Sequence, residues 1–563
     1  MMDRWIEALA RSHTRAVAAL FALCLVFFLP GLFAVQPMDR DEPRFAQASK
    51  QMLETGDFVD IRFQDEARHK KPVGIYWLQS ASVKVAEAAG FTEARGTIGF
   101  YRIPSLLGAI ATVLLTYWTA LAFLSRPAAF LAAAVMAGAV LLGVEARLAK
   151  TDAVLTATVI GAMGALARVY LAAVLPVGRY QPGLGNALVF WLAIGIGVLI
   201  KGPITPLIPL IVAVILSIRE RSVAWLKPLR PWLGLLIVSG IALPWLVAIA
   251  LKSGGAFFTE SVGKDMLGKV GGIAEKHWGP PGAYFLVYWA TFWPAAPIAA
   301  LGALFAWRER RDDSVVFLIA WLVPMWLILE ALPTKLPHYV LPLYPALAIL
   351  LLMAIERRAL PNERWRLILS AALIILIPAL ALVGAPLAFW RLDGSVPFML
   401  LPFLLAAMVM AVLSARALLN EKPVAALVAG LIAAVPFVMG AYIFGLPRLE
   451  ALNISPRLAA LAKSAGCASP AMATAGYREP SLVFLTNTSL RMVMGQEVAG
   501  FLKAPGTGCR IAFVESREEP AFKSTLTAPT STPVLPEPVL LGRVEGFNIN
   551  GGRKLDIGVW VRR

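Results

Sequence analysis

Residues 366–390 read RLILSAALIILIPALALVGAPLAFW, with a single charged side chain, Arg366, at the first position. A helix rises about 1.5 Å per residue, so about 20 apolar residues cross the roughly 30 Å hydrocarbon layer of a bilayer. This stretch is long enough, and its two prolines do not exclude a helix inside a membrane. We therefore predict a membrane-spanning helix here.

Similar apolar stretches recur along most of the chain. Of 563 residues, 58% are hydrophobic and only 15% are charged, and the mean hydropathy is +0.71. Soluble domains carry about 25% charged residues. We predict an all-α polytopic membrane protein with about 13 spans. Their approximate limits are 16–35, 102–124, 127–145, 153–175, 187–200, 203–218, 231–251, 282–307, 314–331, 339–355, 366–390, 398–418 and 424–446.

The excess of basic residues, 52 Lys and Arg against 35 Asp and Glu, fits membrane topology. Short basic loops occupy every second connection, as expected for cytoplasmic loops. This places the N-terminus in the cytoplasm and the loops 36–101, 252–281 and 331–338 outside. Nucleic-acid binding is not predicted, because no basic run is interleaved with stacking aromatic residues.

The character of the sequence changes after residue 446. Residues 1–446 are predicted to form the membrane domain, and residues 447–563 a small soluble α+β domain on the outer face. Runs typical of strands occur at 481–486, 510–515, 538–547 and 555–562. Cys467 and Cys509 both lie in this domain, where a disulfide and two separate buried thiols are both open.

The first outer loop begins with an acidic cluster. Asp41 precedes Glu42-Pro43, a typical start of a helix, and Gly56 marks its end. The apolar pattern between them predicts a helix lying along the membrane interface. Asp41 alone could be a helix cap. The neighbouring Asp39, Glu42 and Arg44 favour a functional role in addition.

Further charges lie in the outward loops, where ionisable groups near a membrane are costly and often functional. Each has a simpler alternative: a solvated loop, a helix cap or a snorkelling lysine. Taken together, the cations could bind an anionic lipid head group, and a carboxylate could activate a hydroxyl group. These residues are Lys70, Lys71, Asp152, Lys201, Lys335 and His338.

Four motifs in order resemble the membrane glycosyltransferases of the GT-C fold. The resemblance is strongest to the bacterial branch with the undecaprenyl-phosphate 4-amino-4-deoxy-L-arabinose (lipid A) transferases, related to the dolichyl-phosphate-mannose protein mannosyltransferases. It extends over the whole chain and implies interfacial helices in loop 36–101, which would carry the catalytic motif. The motifs are Asp41-Glu42-x-Arg44-Phe45-Ala46, Gly56-Asp57, Lys71-Pro72-x-x-x-Tyr76-Trp77 and Lys335-Leu336-Pro337-x-Tyr339-x-Leu341-Pro342.

By this resemblance, Asp41 is the catalytic aspartate that activates or orients the acceptor hydroxyl, and Asp152 is a second acid of the site. Relatives often carry Glu before the Lys-Pro pair, where it can join a metal site, but Lys70 stands there in this chain. We therefore expect no metal ion and no other cofactor. The implied lipid-phosphate ligands are Arg44, Lys71, Lys201 and Tyr339, with Asp39, Glu42, Lys70, Lys335 and His338 as further candidates beside them.

The resemblance implies a glycosyltransferase of the bacterial inner membrane. It would transfer a pentosyl or hexosyl group from a polyprenyl-phosphate donor to a lipid or glycolipid acceptor, such as lipid A, on the periplasmic face, with inversion. One alternative is a protein O-mannosyltransferase. Another is a transporter of a lipid-linked sugar, although no internal repeat with broken helices is visible in the sequence.

Overall fold

The computed structural model describes residues 2–37, 41–175, 182–261, 263, 278–506, 508–527, 536–549 and 551–563. Helices build the first part of the chain, and a mixed sheet with four helices follows. The helices of the first part are α1 Met2–Leu9, α2 His13–Phe28, α3 Asp41–Thr55, α4 Gly74–Ala88, α5 Ile98–Ala120, α6 Arg126–Gly138, α7 Val140–Glu145, α8 Asp152–Val174, α9 Leu184–Lys201, α10 Ile204–Glu220, α11 Pro231–Ser253, α12 Ala256–Phe258, α13 Ala283–Thr291, α14 Ala296–Arg308, α15 Asp313–Ala331, α16 Tyr344–Glu356, α17 Arg364–Asp393, α18 Leu400–Leu419 and α19 Pro423–Met439.

In the described ranges, nine helices are long and apolar enough to cross a membrane. Shorter helices, among them α2, α6, α10 and α14, coincide with the remaining predicted spans. The prediction of a polytopic all-α membrane protein is confirmed, whereas thirteen stays a prediction for the number of spans. The nine are Ile98–Ala120, Asp152–Val174, Leu184–Lys201, Pro231–Ser253, Asp313–Ala331, Pro337–Glu356, Arg364–Asp393, Leu400–Leu419 and Pro423–Arg448.

Two of the predicted spans are interrupted. The stretch 127–145 forms α6 and α7, which are separated at Ala139, whose backbone is extended. Gly138 packs so closely on Leu431 that a Cβ atom would lie 2.4 Å from its Cδ2. The stretch 282–307 forms α13 and α14 with Pro294 between them, because proline cannot continue the hydrogen bonding of a helix.

Helix α3 has the predicted limits. It begins at Asp41 and ends at Thr55, and Gly56 follows with φ +75° and an N–H bond to the Met52 carbonyl at 2.9 Å. Its apolar residues Phe45 and Met52 are buried as expected. Polar residues on its other sides are buried as well: Glu42 and Ser49 bond to helices α5 and α4, and Gln47 and Lys50 to the soluble domain. A short hairpin, β1 Arg62–Phe63 and β2 Glu66–Ala67, connects α3 to α4.

The soluble domain contains a five-stranded sheet of order β4-β3-β5-β7-β6. Strand β3 is parallel to β4 and β5, and β7 is antiparallel to β5 and β6. Residue 446/447 stays a predicted domain boundary, and the helical segment Pro423–Arg448 crosses it. The elements are α20 Ile454–Lys463, β3 Ala471–Ala475, α21 Pro480–Leu485, β4 Arg491–Val493, α22 Gly495–Lys503, β5 Arg510–Glu515, α23 Glu519–Thr527, β6 Val539–Phe547 and β7 Lys554–Arg562.

Three of the four predicted strands are confirmed as β5, β6 and β7. The fourth, 481–486, is wrong, because residues 481–485 belong to helix α21. Pro480 occupies the first turn of this helix, where its missing N–H group has no intrahelical partner to lose. The true strands β3 and β4 were not predicted, since β3 is rich in alanine, which has a low strand propensity.

Cys467 and Cys509 form a disulfide bond, with their Cα atoms 6.1 Å apart. The bond connects the segment that precedes β3 to the residue before β5. The sequence had left this pairing open. Cys24 is a buried free thiol in α2.

Candidate active site

The N-terminal turn of α3 presents an acid and a cation together. Arg44 Nη1 lies 3.9 Å from Asp41 Oδ1, and the two side chains are 34% and 51% exposed. Both groups can therefore meet a substrate without a change of the fold. Asp39, the other acid predicted at this place, lies outside the described residues.

Glu42 has a different environment from its neighbour Asp41. Its side chain is wholly buried and accepts hydrogen bonds from Arg102 Nε at 2.7 Å and Arg102 Nη2 at 2.9 Å. The backbone N–H of Ala149 donates to the same carboxylate at 3.0 Å. Glu42 thus joins α3 to α5 and to the chain just before α8, so a hydrogen bond connects the residue after Asp41 to a residue three positions before Asp152.

Four ionisable side chains form a cluster in which both carboxylates are buried and Lys201 and His338 are 14% and 12% exposed. The ammonium group of Lys201 donates to Asp152 Oδ1. His338 lies between two carboxylates, with Nε2 3.7 Å from Asp152 Oδ2 and Nδ1 3.6 Å from Glu145 Oε1. Acids and nitrogen bases therefore alternate, so each carboxylate is adjacent to a group that can carry the opposite charge.

The elements that supply this cluster end or begin at the same place. Asp152 is the first residue of α8, Lys201 is the last residue of α9, and His338 lies in the 3-10 turn Pro337–Leu343. Gly202 ends α9 with φ +68°, a conformation that glycine adopts without strain. The side chain of Asp152 contacts Lys201 and His338, which favours a role in the site over simple helix capping.

Tyr339 extends the cluster. Its ring centroid lies 5.3 Å from Lys201 Nζ and 5.0 Å from the centroid of the His338 ring. An aromatic face and an ammonium group at this distance attract each other. The structure therefore places two of the predicted phosphate ligands, Lys201 and Tyr339, side by side.

The segment that carries Lys70 and Lys71 packs against the end of α9. At Gly74, a Cβ atom would lie 2.7 Å from the carbonyl oxygen of Leu199, two residues before Lys201. Lys70 is exposed and Lys71 is half-buried. Close backbone contact at Gly74 thus brings the Lys71 segment to the Lys201 region.

Arg68 and Tyr76 also lie near α3, and the sequence had not singled out either as a site residue. The Arg68 guanidinium stands over the Phe45 ring at 4.8 Å, and Phe45 stacks on Tyr76 with ring centroids 5.4 Å apart. Tyr76 is fully buried, and this burial raises the pKa of its hydroxyl group. Arg68 therefore places a second cation near Arg44, over the ring of the next residue, Phe45.

Lys335, a further candidate from the sequence, has a local structural role. Its ammonium group donates to the carbonyl oxygens of Glu330 at 2.9 Å and Leu332 at 2.6 Å. These carbonyls end α15, where a cation is favourable for the helix dipole. Lys335 therefore caps α15.

Neither Glu145 nor Arg102 is among the predicted catalytic or phosphate-binding residues. Glu145 ends a predicted span and Arg102 begins another, and ionisable groups at such positions are rarely without a function. That signal was present in the sequence. Their partners could not be inferred, because they lie far away along the chain.

One group of residues has the geometry for a metal ion. Among the described residues, Glu145, Asp152 and His338 each offer a ligand atom within 4.8 Å of the other two. Two carboxylates and one imidazole suit a divalent transition metal. Asp152, however, already accepts a hydrogen bond from the Lys201 ammonium group, which provides a positive charge at the place where a metal ion would provide one.

Comparisons with known proteins agree with the fold and the motifs. The sequence profile of the family described as dolichyl-phosphate-mannose-protein mannosyltransferase matches residues 12–255. The undecaprenyl phosphate-alpha-4-amino-4-deoxy-L-arabinose arabinosyl transferase of Erwinia tasmaniensis is 28% identical over 371 residues, 62% of this chain and 62% of that protein. The enzyme of the same description from Yersinia pestis is 26% identical over 397 residues, 68% of each chain.

The crystal structure of ArnT from Cupriavidus metallidurans bound to undecaprenyl phosphate superposes with a TM-score of 0.73. The superposition covers 97% of this chain and 98% of that chain, at 18% sequence identity. The chain therefore has the GT-C fold of that protein, and the resemblance found in the motifs is confirmed. The alignment with the Erwinia relative spans 62% of that protein's length. The bacterial relatives and the apolar helices support a multi-pass protein of the inner membrane.

Proposed function

We propose that this protein is a glycosyltransferase that moves a sugar from undecaprenyl phosphate to lipid A or a related glycolipid on the periplasmic face of the inner membrane. The sugar we propose is a pentose of the 4-amino-4-deoxy-L-arabinose type. The observation that carries the proposal is the half-exposed Asp41–Arg44 pair together with the Asp152–Lys201–His338 cluster. It combines an available carboxylate with several fixed cations.

The geometry suits a direct displacement at the anomeric carbon. The acceptor oxygen forms a bond to this carbon while the bond from the carbon to the phosphate oxygen of the donor breaks. Asp41 accepts the proton of the acceptor hydroxyl, and a positioned base of this kind contributes about 10²–10⁴ in rate. The lipid phosphate leaves with the electron pair of the broken bond, and one attack of this kind inverts the anomeric centre.

The cations stabilise the departing phosphate. Arg44 and Lys71 reach it from the first outer loop, and Lys201 and Tyr339 from the ends of the spans. Such charges are already oriented before the reaction, so they stabilise developing negative charge without reorganisation. Asp152 keeps Lys201 in place, and the Lys201 ammonium group balances its charge.

We propose that the transfer needs no metal ion, since Lys201 supplies the positive charge next to Asp152. A chelator test is direct: turnover of protein treated with EDTA should equal that of untreated protein. A loss of turnover that Mn²⁺ or Zn²⁺ restores would instead assign Glu145, Asp152 and His338 to a metal site.

The experiment that tests the function uses the purified full chain in detergent with undecaprenyl-phosphate aminoarabinose and lipid A. Mass spectrometry should detect lipid A that has gained one aminoarabinose residue. Product formed in detergent, without a sealed compartment, also excludes a pure transporter. Absence of product with folded protein and intact substrates would overturn the proposal.

A second candidate, a protein O-mannosyltransferase, is favoured by the profile match to residues 12–255. The same assay with polyprenyl-phosphate mannose and a serine- and threonine-rich peptide separates the two. We expect no mannosyl peptide.

The proposed orientation, with cytoplasmic N-terminus and periplasmic soluble domain, is tested by labelling a cysteine placed after Arg563, which should react from the periplasm in intact cells.

A further inference from the structure

A short segment of the soluble domain, residues 484–490, contacts the helix that carries Asp41. The Thr488 hydroxyl accepts a hydrogen bond from Gln47 Nε2 at 2.8 Å and donates to Glu54 Oε2 at 2.7 Å. Gln47 and Glu54 lie two turns apart on α3, so one side chain contacts half the length of the helix. Both of its hydrogen-bonding functions are used.

The same segment holds the hairpin that leads to Lys71. Gln64 Nε2 donates to the carbonyl oxygens of Thr488 and Leu490, each at 2.8 Å. The Gln64 backbone has φ +54°, a conformation that is costly for a residue other than glycine. Its N–H and C=O groups bond to the Gln51 side chain at 2.9 and 2.7 Å. Hydrogen bonds from both sides therefore keep this strained turn in place.

Phe484 completes the contact. Its ring packs on Tyr101 with centroids 5.3 Å apart, and its carbonyl oxygen accepts a hydrogen bond from Lys50 Nζ at 3.0 Å. Burial lowers the pKa of Lys50, which is only 8% exposed. A lysine is rarely buried unless its ammonium group is paired. The contact between α3 and the soluble domain is thus a specific, desolvated interface.

Two parts of the proposed site are attached to residues 484–490: helix α3, which carries the base, and the hairpin before Lys71. Asp41 and Arg44 lie on α3, which Glu42 fixes to the membrane domain at its first turn and Thr488 fixes to the soluble domain further along. Lys71 follows the hairpin, which Gln64 fixes to the same segment. A displacement of the segment would therefore change the distance between the base and the phosphate ligands.

We propose that residues 484–490 of the soluble domain act as a positioning element for transfer, with Thr488 as the residue that sets the placement of Asp41 relative to Lys71. This inference rests on the proposed function. Thr488 touches neither substrate nor reacting atoms. Its effect should appear in kcat, because misplacement by about 1 Å can cost up to about 10²-fold in rate while the donor still binds.

The test compares Thr488→Val with Thr488→Ser in the full-length protein. Valine keeps the shape and removes both hydrogen bonds, whereas serine keeps the hydroxyl group. We expect Thr488→Val to lower kcat about tenfold with an unchanged KM for the donor, and Thr488→Ser to restore most of the rate. Ser489→Ala is the matched control, since the Ser489 hydroxyl contacts only the neighbouring Asn487 among the described hydrogen bonds.

A double-mutant cycle with Asp41→Asn separates positioning from general stability. If Thr488 acts through Asp41, the Thr488→Val loss should disappear in the Asp41→Asn background, because coupled residues are not additive. Hydrogen exchange of the α3 peptides should be faster in Thr488→Val at equal thermal stability. Unchanged kcat in Thr488→Val, or an equal loss in both backgrounds, would overturn the inference. Failure of the proposed function would appear differently, as wild-type protein without transferase activity.

Discussion

Glu42 and Arg102 form a fully buried ion pair with two hydrogen bonds, Nε to Oε1 at 2.7 Å and Nη2 to Oε2 at 2.9 Å. Arg102 also donates to the carbonyl oxygens of Leu32 and Val35. The pair therefore joins the end of the first span, the start of α3 and α5. The two adjacent acids therefore differ in environment, since the Asp41 side chain is 51% exposed and the Glu42 side chain is buried.

Replacing Glu42 by Gln should destabilise the protein. The Arg102 charge would remain buried without a counter-charge, and breaking such a pair costs about 3–5 kcal/mol. Thermal unfolding in detergent, followed by size-exclusion chromatography, should show a lower midpoint and less monodisperse protein. Asp41→Asn, one residue away, is the control and should unfold like the wild type. A stable Glu42→Gln protein without activity would instead place Glu42 in the chemistry.

Replacing Lys201 by Met tests whether this residue acts mainly on Asp152 or on the donor phosphate. Its ammonium group bonds to Asp152, so we expect kcat to fall about ten- to a hundredfold, as for loss of one charged hydrogen bond. Binding of undecaprenyl phosphate should weaken less. Lys71→Met is the comparison, with the larger loss expected in binding. Equal loss of binding in both variants would make Lys201 primarily a phosphate ligand.

Much of the fold follows from the sequence because a bilayer imposes simple rules. Apolar length predicts where helices lie, and the turn residues around Asp41 and Gly56 give both ends of α3. The break inside 127–145 depends on packing against a distant helix, where Gly138 meets Leu431, whereas the break inside 282–307 coincides with Pro294. Residues 481–486 have the composition of a strand, yet Pro480 and the surrounding domain favour a helix.

The site was only partly predictable. Motif resemblance selected Asp41, Arg44, Asp152 and Lys201, and the structure brings the last two into contact although they are 49 positions apart. A sequence motif identifies residues of the site, but it does not show which side chains contact each other in the folded protein. For this reason Lys335, which caps α15, was among the predicted candidates, and Glu145, which lies 3.6 Å from His338, was not.

The disulfide should stabilise the soluble domain. Cys467 and Cys509 are 42 positions apart, and closing a loop of that length restricts the unfolded chain by about 4 kcal/mol in the entropy model. Replacing both residues by Ser should lower the midpoint of thermal unfolding and make residues 447–563 more sensitive to protease. Cys24→Ser, a change elsewhere in the chain, is the control. Equal protease sensitivity with and without the disulfide would show that packing alone holds the domain.

Asp57 should make stability depend on pH. Burial disfavours its charge, but hydrogen bonds from Lys252 at 2.5 Å and from the N–H groups of Val59 and Asp60 outweigh this, and the pKa of Asp57 lies below its ordinary value. The ionised form is thus favoured by folding. Its contribution is present above the unfolded pKa of about 3.9 and is lost as the pH falls through the folded value.

Asp57→Asn should therefore lower the thermal midpoint at neutral pH, and the difference from the wild type should shrink below about pH 4. Asp65→Asn, at an exposed acid of the same loop, is the control and should show no such trend. A difference between Asp57→Asn and the wild type that stays constant from pH 7 to about pH 3 would exclude this ion pair as its cause.

Replacing Asp41 by Asn tests the proposed base. Asparagine has nearly the same shape and still favours the start of a helix, so α3 should form and the thermal midpoint should stay unchanged. It cannot accept the proton of the acceptor hydroxyl, and kcat should fall at least about a hundredfold. Binding of undecaprenyl phosphate, measured separately, should remain close to normal because the cations are intact. Asp65→Asn is again the matched control, with full activity expected. Near-normal turnover of Asp41→Asn would leave Asp41 as the residue that begins α3 and would move the search for the base to Asp152.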